Sequence, residues 1–97
     1  MFIYKVADKL VFNFLNKANN GYLEITCFDG TQLKFGNPKD NLKAKLLIKK
    51  PNFTYNLIRG GSIGFAESYM NEEFETNNLS NLIEFTARNI NIIHKFS

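Results

Sequence analysis

Two adjacent glycines, Gly60 and Gly61, divide residues 51–74, the stretch that most constrains how this chain can fold. Apolar residues from Phe53 onward recur at helical spacing, so a first helix should begin after Pro51 and end at the glycines. One glycine can adopt a left-handed backbone and end that helix, and Ser62 can cap a second one. The sequence therefore predicts two short helices joined at a glycine corner. The apolar face of the second helix contains Ile63, Ala66 and Met70.

Alternating apolar and polar residues predict three strands before this corner, over residues 22–28, 31–35 and 42–49. Asp29-Gly30 is typical of a hairpin turn between the first two strands. In the third strand, Lys43, Lys45 and Lys49 alternate with apolar residues. The pattern predicts a sheet with one buried face and one lysine-rich face, to which Lys34 also contributes.

A helix is predicted at each end of the chain, with a short strand at residues 73–76 before the last one. Asn77 or Asn78 caps the last helix. The first helix covers residues 2–17, and Phe12 lies on its polar side. Phe12 is either covered by a neighbouring element or exposed for a membrane or partner contact beside lysines. The opposite, apolar stripe contains Ile3, Val6, Ala7, Leu10, Val11 and Phe14.

The resulting order is α-β-β-β-α-α-β-α within a single domain, residues 1–97. We predict an α+β fold in which helices cover one face of a mostly antiparallel sheet of three to four strands. An N-terminal signal peptide is not indicated, because charges interrupt residues 1–15 and no small-residue cleavage site follows.

Residues 61–71, Gly-Ser-Ile-Gly-Phe-Ala-Glu-Ser-Tyr-Met-Asn, resemble a segment in the N-terminal domain of the cyclopropane-fatty-acyl-phospholipid synthase family. The resemblance extends from Gly21 to Asn89 and includes glycines after both hairpin strands. This chain has Asn71-Glu72 where that family usually has Asp-Gly, and Asn78 where it usually has Asp. A weaker likeness, in fold only, is to sterol-carrier-protein-type domains, which would imply an apolar groove for an acyl chain.

The resemblance implies a non-catalytic, lipid-facing domain that precedes an S-adenosylmethionine-dependent methyltransferase domain absent from this sequence. Its partners would be phospholipid or acyl chains, an anionic membrane surface and that methyltransferase domain. Its location would be cytoplasmic, at the inner membrane. No cofactor is expected in this chain, because it lacks a glycine-rich cofactor loop after a strand. With His94 alone and Cys27 alone, neither a catalytic triad nor a metal site nor a disulfide is predicted.

The formal net charge of +3 permits attraction to anionic lipid. For surface contact with lipid we expect Phe12, Lys34, Lys43 and Lys45, and for an apolar slot Phe65, Tyr69 and Met70. Among the motif residues, Gly60, Gly61 and Gly64 shape the corner. Glu67 either accepts hydrogen bonds at that corner or contacts a headgroup or the catalytic domain.

The alternative is an interaction module with no ligand of its own, which packs on the catalytic domain or self-associates. The sheet or the last helix would make that contact, and the tail of this helix, residues 90–97, is apolar to its end. Nucleic acid is not an expected partner, since arginine occurs only at Arg59 and Arg88 and no recognition motif is present.

Overall fold

The computed structural model describes residues 2–89, with side chains from Lys5 onward. It confirms the α+β class and the predicted order of elements, and the two predicted short helices form one kinked helix, α2. The tail at residues 90–97, including His94, lies outside the described residues. The elements are α1 (Phe2–Leu15), β1 (Tyr22–Thr26), β2 (Gln32–Gly36), β3 (Lys43–Ile48), α2 (Phe53–Met70), β4 (Phe74–Thr76) and α3 (Leu79–Arg88).

The four strands form one mixed sheet in the order β2-β1-β3-β4. β1 pairs antiparallel with β2, as the hairpin turn predicts, and β3 pairs antiparallel with β4. β1 and β3 are parallel, because the chain leaves β2 at one edge and returns on the other side of β1. The sheet is therefore antiparallel in two of its three pairings and parallel at its centre.

The core lies on one face of the sheet, under the helices. From the strands it receives Leu23, Ile25, Phe35, Ala44, Leu46, Ile48 and Phe74, and from the helices Phe53, Leu82 and Phe85. Strand β3 alternates strictly between exposed and buried residues, so its lysines point away from this core. One sheet face is covered and the other is open to solvent, which agrees with the alternation in the sequence.

The orientation of α1 differs from the one that its apolar stripe predicts. Val6 and Leu10 are exposed, whereas Ala7 is buried and Phe12 is half-buried with its ring stacked on Phe35, 6.0 Å between centroids. The hydroxyl of Thr54 donates a hydrogen bond to Asp8, which fastens α1 to α2. Because α1 is apolar on most sides, its periodicity did not identify the side that faces the core.

Asparagine side chains hold both ends of α3. The side chain of Asn78 caps its start by accepting a hydrogen bond from the backbone N–H of Asn81, at 3.0 Å. At its end the buried Asn89 donates to the carbonyl of Asn20 and accepts from the N–H of Asn19. Asn89 thus joins the end of α3 to the turn that leads into β1.

Candidate functional site

The open face of the sheet brings the predicted lysines together. Strand register places Glu24 on β1 directly between Lys34 on β2 and Lys45 on β3. Lys43 lies one row away, beside Tyr22. Lys34, Lys43 and Lys45 are exposed, and no ion pair of theirs is described within residues 2–89. We call this surface, completed by Lys49, the basic face.

The far end of the basic face is partly apolar. Leu47 lies between Thr26 on β1 and Glu75 on β4, and 41% of it is exposed. Lys49 Nζ pairs with the Glu75 carboxylate at 3.1 Å, and both side chains are well exposed. An exposed pair of this kind contributes little to stability and leaves Lys49 free to exchange partners.

Glu24 is the main counter-charge within the basic face. It is half-buried and lines a shallow cavity of about 130 Å³ with Lys34 and Lys45. Burial raises the pKa of the Tyr22 hydroxyl, and the neighbouring Glu24 charge adds to that effect. Tyr22 therefore stays neutral at physiological pH. The face is mixed in charge, with four lysines against Glu24 and Glu75, and remains net positive.

The glycine corner of α2 has the predicted geometry. Within this helix only Gly61 has non-helical torsion angles, φ 54° and ψ −130°. A residue with a side chain would be strained in this conformation. Gly64 lies against the first half of α2, so a Cβ there would overlap the carbonyl oxygen of Asn56. Gly60 has open space around it. The α2 corner comprises these glycines together with the buried polar cluster beneath them.

That cluster centres on Glu73, which is only 6% exposed. Its Oε1 accepts a hydrogen bond from Ser68 Oγ at 2.7 Å and another from Asn56 Nδ2 at 3.0 Å. Its carbonyl accepts the backbone N–H groups of Lys49 and Lys50. Glu73 therefore ties both halves of α2 to the residues that follow β3, which is a structural role.

Glu67 is exposed, and the buried carboxylate that accepts hydrogen bonds at this corner is Glu73. Contact of Glu67 with a headgroup or with the catalytic domain, the other alternative, stays a prediction. Glu67 lines a cavity of about 380 Å³ at the corner, with Arg59 and Asn71 among the other lining residues. This lining is mostly polar. The larger of the two described cavities therefore does not correspond to the apolar groove that the sterol-carrier likeness implies.

The three residues expected in an apolar slot occupy different environments. Phe65 and Tyr69 pack on Phe74, with ring centroids 5.1 and 5.7 Å apart, so they belong to the core and its margin. Met70 is 72% exposed at the end of α2. Phe12 packs on Phe35, the first of the two alternatives weighed for it, so its ring is not part of the open surface.

Chemically reactive groups are scarce in the part of the chain that the structure describes. Within it, no group of three or more His, Cys, Asp or Glu residues is placed to hold a metal ion. Burial raises the pKa of the half-buried Cys27 thiol, and the charges of Asp29 and Asp8 add to this, so the thiol stays protonated.

Sequence reasoning missed three residues of interest. The local sequence does not distinguish Glu73 from Glu67 or Glu72, because the burial of Glu73 depends on tertiary packing. Alternation predicts that Glu24 lies on the outer face of its strand, but its position between two lysines follows only from the strand register. Phe28, in the β1–β2 turn, is 60% exposed. Its exposure could have been suspected from the Asp29-Gly30 turn signal beside it.

Fold and surface together define a small α+β domain with one open basic sheet face. The chain belongs to the family described as Domain of unknown function (DUF7884), whose model matches residues 10–95. No curated protein matches the chain, and no solved structure matches it either.

Proposed function

We propose that this chain is a lipid-binding accessory domain that docks an enzyme resembling cyclopropane-fatty-acyl-phospholipid synthase on anionic phospholipid bilayers. The observation that carries the proposal is the basic face, an open sheet surface with four lysines and two carboxylates. Each lysine close to an anionic bilayer contributes about 1 kcal/mol of attraction. No described helix combines the length and the apolarity needed to cross a bilayer. As the resemblance implies, the proposed location is the inner surface of the cytoplasmic membrane, by peripheral contact.

The backbone at the positions of the resemblance supports the proposed kinship. Gly21, Gly30 and Gly36 all have positive φ angles, where glycine is favoured. Glu72 also has a positive φ, 57°, and it stands where the synthase family usually has glycine. Asn78 caps α3, and the aspartate usual at that position could do the same. The motif residues thus have roles in the fold that account for their type.

Catalysis is assigned to a methyltransferase domain outside this sequence, which would also bind S-adenosylmethionine. In the proposal this chain supplies the membrane contact and presents the substrate by holding the enzyme at the bilayer surface. The polar lining of the corner cavity favours contact with headgroups over a slot for acyl chains.

Co-sedimentation with anionic vesicles, at low and high salt, tests the proposal. The double variant Lys43→Glu/Lys45→Glu should bind at least about thirtyfold more weakly, since two attractive charges of about 1 kcal/mol each are lost. A matched control, Lys9→Glu/Lys39→Glu, makes the same change in net charge away from the sheet and should keep most of the binding. Equal binding by wild type and the Lys43/Lys45 variant would refute docking through this face.

A second candidate, an interaction module, is favoured by the exposed side of α2. Ile63 is 71% exposed and Met70 72%, and Ala66 between them is exposed too, so this apolar helix face has no covering element among residues 2–89. The expected partner is the catalytic domain or a second copy of the chain. Self-association in sedimentation velocity that Ile63→Glu abolishes, without vesicle binding by wild type, would favour this candidate.

A further inference from the structure

The turn between β1 and β2 presents an aromatic ring to solvent. Phe28 lies two residues after the end of β1 and is 60% exposed, although phenylalanine is usually buried. The turn itself is well fixed, because Cys27 N–H bonds to the Thr31 carbonyl at 2.7 Å and Gly30 N–H bonds to the Cys27 carbonyl at 2.9 Å. The ring is therefore held out by an ordered turn.

The parallel pairing of β1 and β3 places this turn at the apolar end of the basic face. Thr26, the last residue of β1, pairs with Leu47, so the turn after Thr26 lies at the sheet end toward which β3 runs to Lys49. Leu47 is 41% exposed. Two exposed apolar side chains thus lie at the end of the sheet that also carries Lys49.

Charges near the turn are compatible with an anionic surface. The pKa of Asp29 is lowered chiefly by hydrogen bonds from Thr31, and the positive charge of Lys5 contributes too. Lys5 on α1 is therefore close enough to offset the Asp29 carboxylate. Lys49 lies at the same end of the sheet and pairs with Glu75, and Asp8 lies near Cys27, so Lys5 and Lys49 offset the carboxylates around this turn.

The exposed apolar residues of α2 have the opposite surroundings. From residue 62 to residue 72 the chain carries Glu67 and Glu72 and no lysine or arginine. Ile63 and Met70 on that segment would bring carboxylates toward anionic lipid, which is unfavourable. Charge therefore distinguishes the Phe28 end of the sheet, which adjoins the basic face, from the exposed apolar residues in the second half of α2.

We propose that Phe28 inserts into the interfacial region of an anionic phospholipid bilayer, with Leu47 beside it and the lysines of the basic face on the headgroups. This inference rests on the proposed docking function and adds the depth and the orientation of the contact. The end of the sheet with Phe28 points into the bilayer, while the exposed face of α2 stays in water. Phenylalanine and leucine side chains on the apolar side of interfacial segments are buried at the boundary between headgroups and acyl chains.

Because the chain contains no tryptophan, Phe28→Trp introduces a single fluorescent reporter. The probe is a vesicle of phosphatidylglycerol and phosphatidylcholine in equal parts, and the readouts are the emission maximum and quenching by brominated lipid. Ile63→Trp is the matched control at an exposed apolar position on α2. We expect a blue shift and strong quenching for the tryptophan at position 28 and neither for the one at position 63. Phe28→Ala should weaken vesicle binding by about tenfold.

The outcomes separate this inference from the docking function. If vesicles bind the wild type but the tryptophan at position 28 stays accessible to water, insertion is refuted while docking stands. Equal shielding at positions 28 and 63 would also refute the proposed orientation. If wild type does not bind these vesicles at low salt, docking and insertion both fail. Circular dichroism of each variant checks that the fold is intact, as we expect for substitutions at exposed positions.

Discussion

The α2 corner and the basic face contain the two main sets of polar residues in this domain, and they use them in opposite ways. At the corner, Asn56 and Ser68 donate hydrogen bonds to the buried Glu73. On the basic face, Lys34 and Lys45 flank Glu24 and remain exposed. The corner coincides with the most distinctive stretch of the sequence, yet its buried polar groups form hydrogen bonds with one another that stabilise the fold. Distinctive residues therefore mark the scaffold here, and ordinary lysines form the surface available to a partner.

The largest effect should come from Gly64→Ala, which tests whether the corner is structural. A methyl group at position 64 overlaps the backbone carbonyl of Asn56, which cannot rotate away, so we expect a loss of about 3 kcal/mol in unfolding free energy. Gly60→Ala is the matched control, since the space around Gly60 is open, and it should stabilise the helix by about 0.5–1 kcal/mol. Urea unfolding measures both. Equal effects of the two variants would contradict the close contact at Gly64.

Glu73→Ala should cost about 2 kcal/mol, because Ser68 and Asn56 would lose their acceptor in a buried site. Glu67→Ala should change stability by less than about 0.5 kcal/mol, as is usual for an exposed position. Thermal unfolding compares the pair. The comparison of the two regions breaks down if Glu73→Ala weakens vesicle binding while stability stays unchanged.

Glu72→Gly should stabilise the domain by about 1 kcal/mol. Glu72 has a left-handed backbone, which strains any residue with a side chain, and glycine removes that strain at some cost in chain entropy. Glu72→Ala keeps the strain and serves as the control in urea unfolding. A loss of stability in Glu72→Gly would show that the Glu72 side chain makes a contribution larger than the strain.

The smallest effect concerns the basic face. Glu24→Gln removes the carboxylate between Lys34 and Lys45, so binding to anionic vesicles should strengthen by about fivefold. Glu67→Gln makes the same change in net charge on α2 and should have little effect. If both variants strengthen binding equally, the attraction depends on total charge and the basic face has no special part in it.

Local patterns predicted most of the fold. Strict alternation in β3, the turn at Asp29-Gly30 and the break at Gly61 each depend on neighbouring residues, and the structure confirms them. The parallel pairing of β1 with β3 depends on residues about 20 positions apart, which alternation does not encode. Apolar residues occur on most sides of α1, so periodicity alone does not show which side is buried. Phe12 packs on Phe35 of the sheet, whereas Leu10 is exposed.

The candidate surface was predictable in part. Alternation alone placed Lys43 and Lys45 on one side, because the period of a strand fixes the direction of each side chain. Neither Glu24 between the lysines nor Phe28 at the end of the sheet followed from it, since both positions depend on register. Burial of Glu73, rather than Glu67, depended on how the two halves of α2 meet.

The hydrogen bonds of Asn89 affect how the domain folds during translation. Its hydrogen bonds to Asn19 and Asn20 span 70 and 69 residues, and they close the start of β1 against the end of α3. Contacts so distant in sequence form after local ones, because a long segment must be ordered first. During synthesis on a ribosome, this closure waits until Asn89 has left the exit tunnel. We expect the nascent domain to remain incompletely folded, and accessible to chaperones, until translation has passed α3.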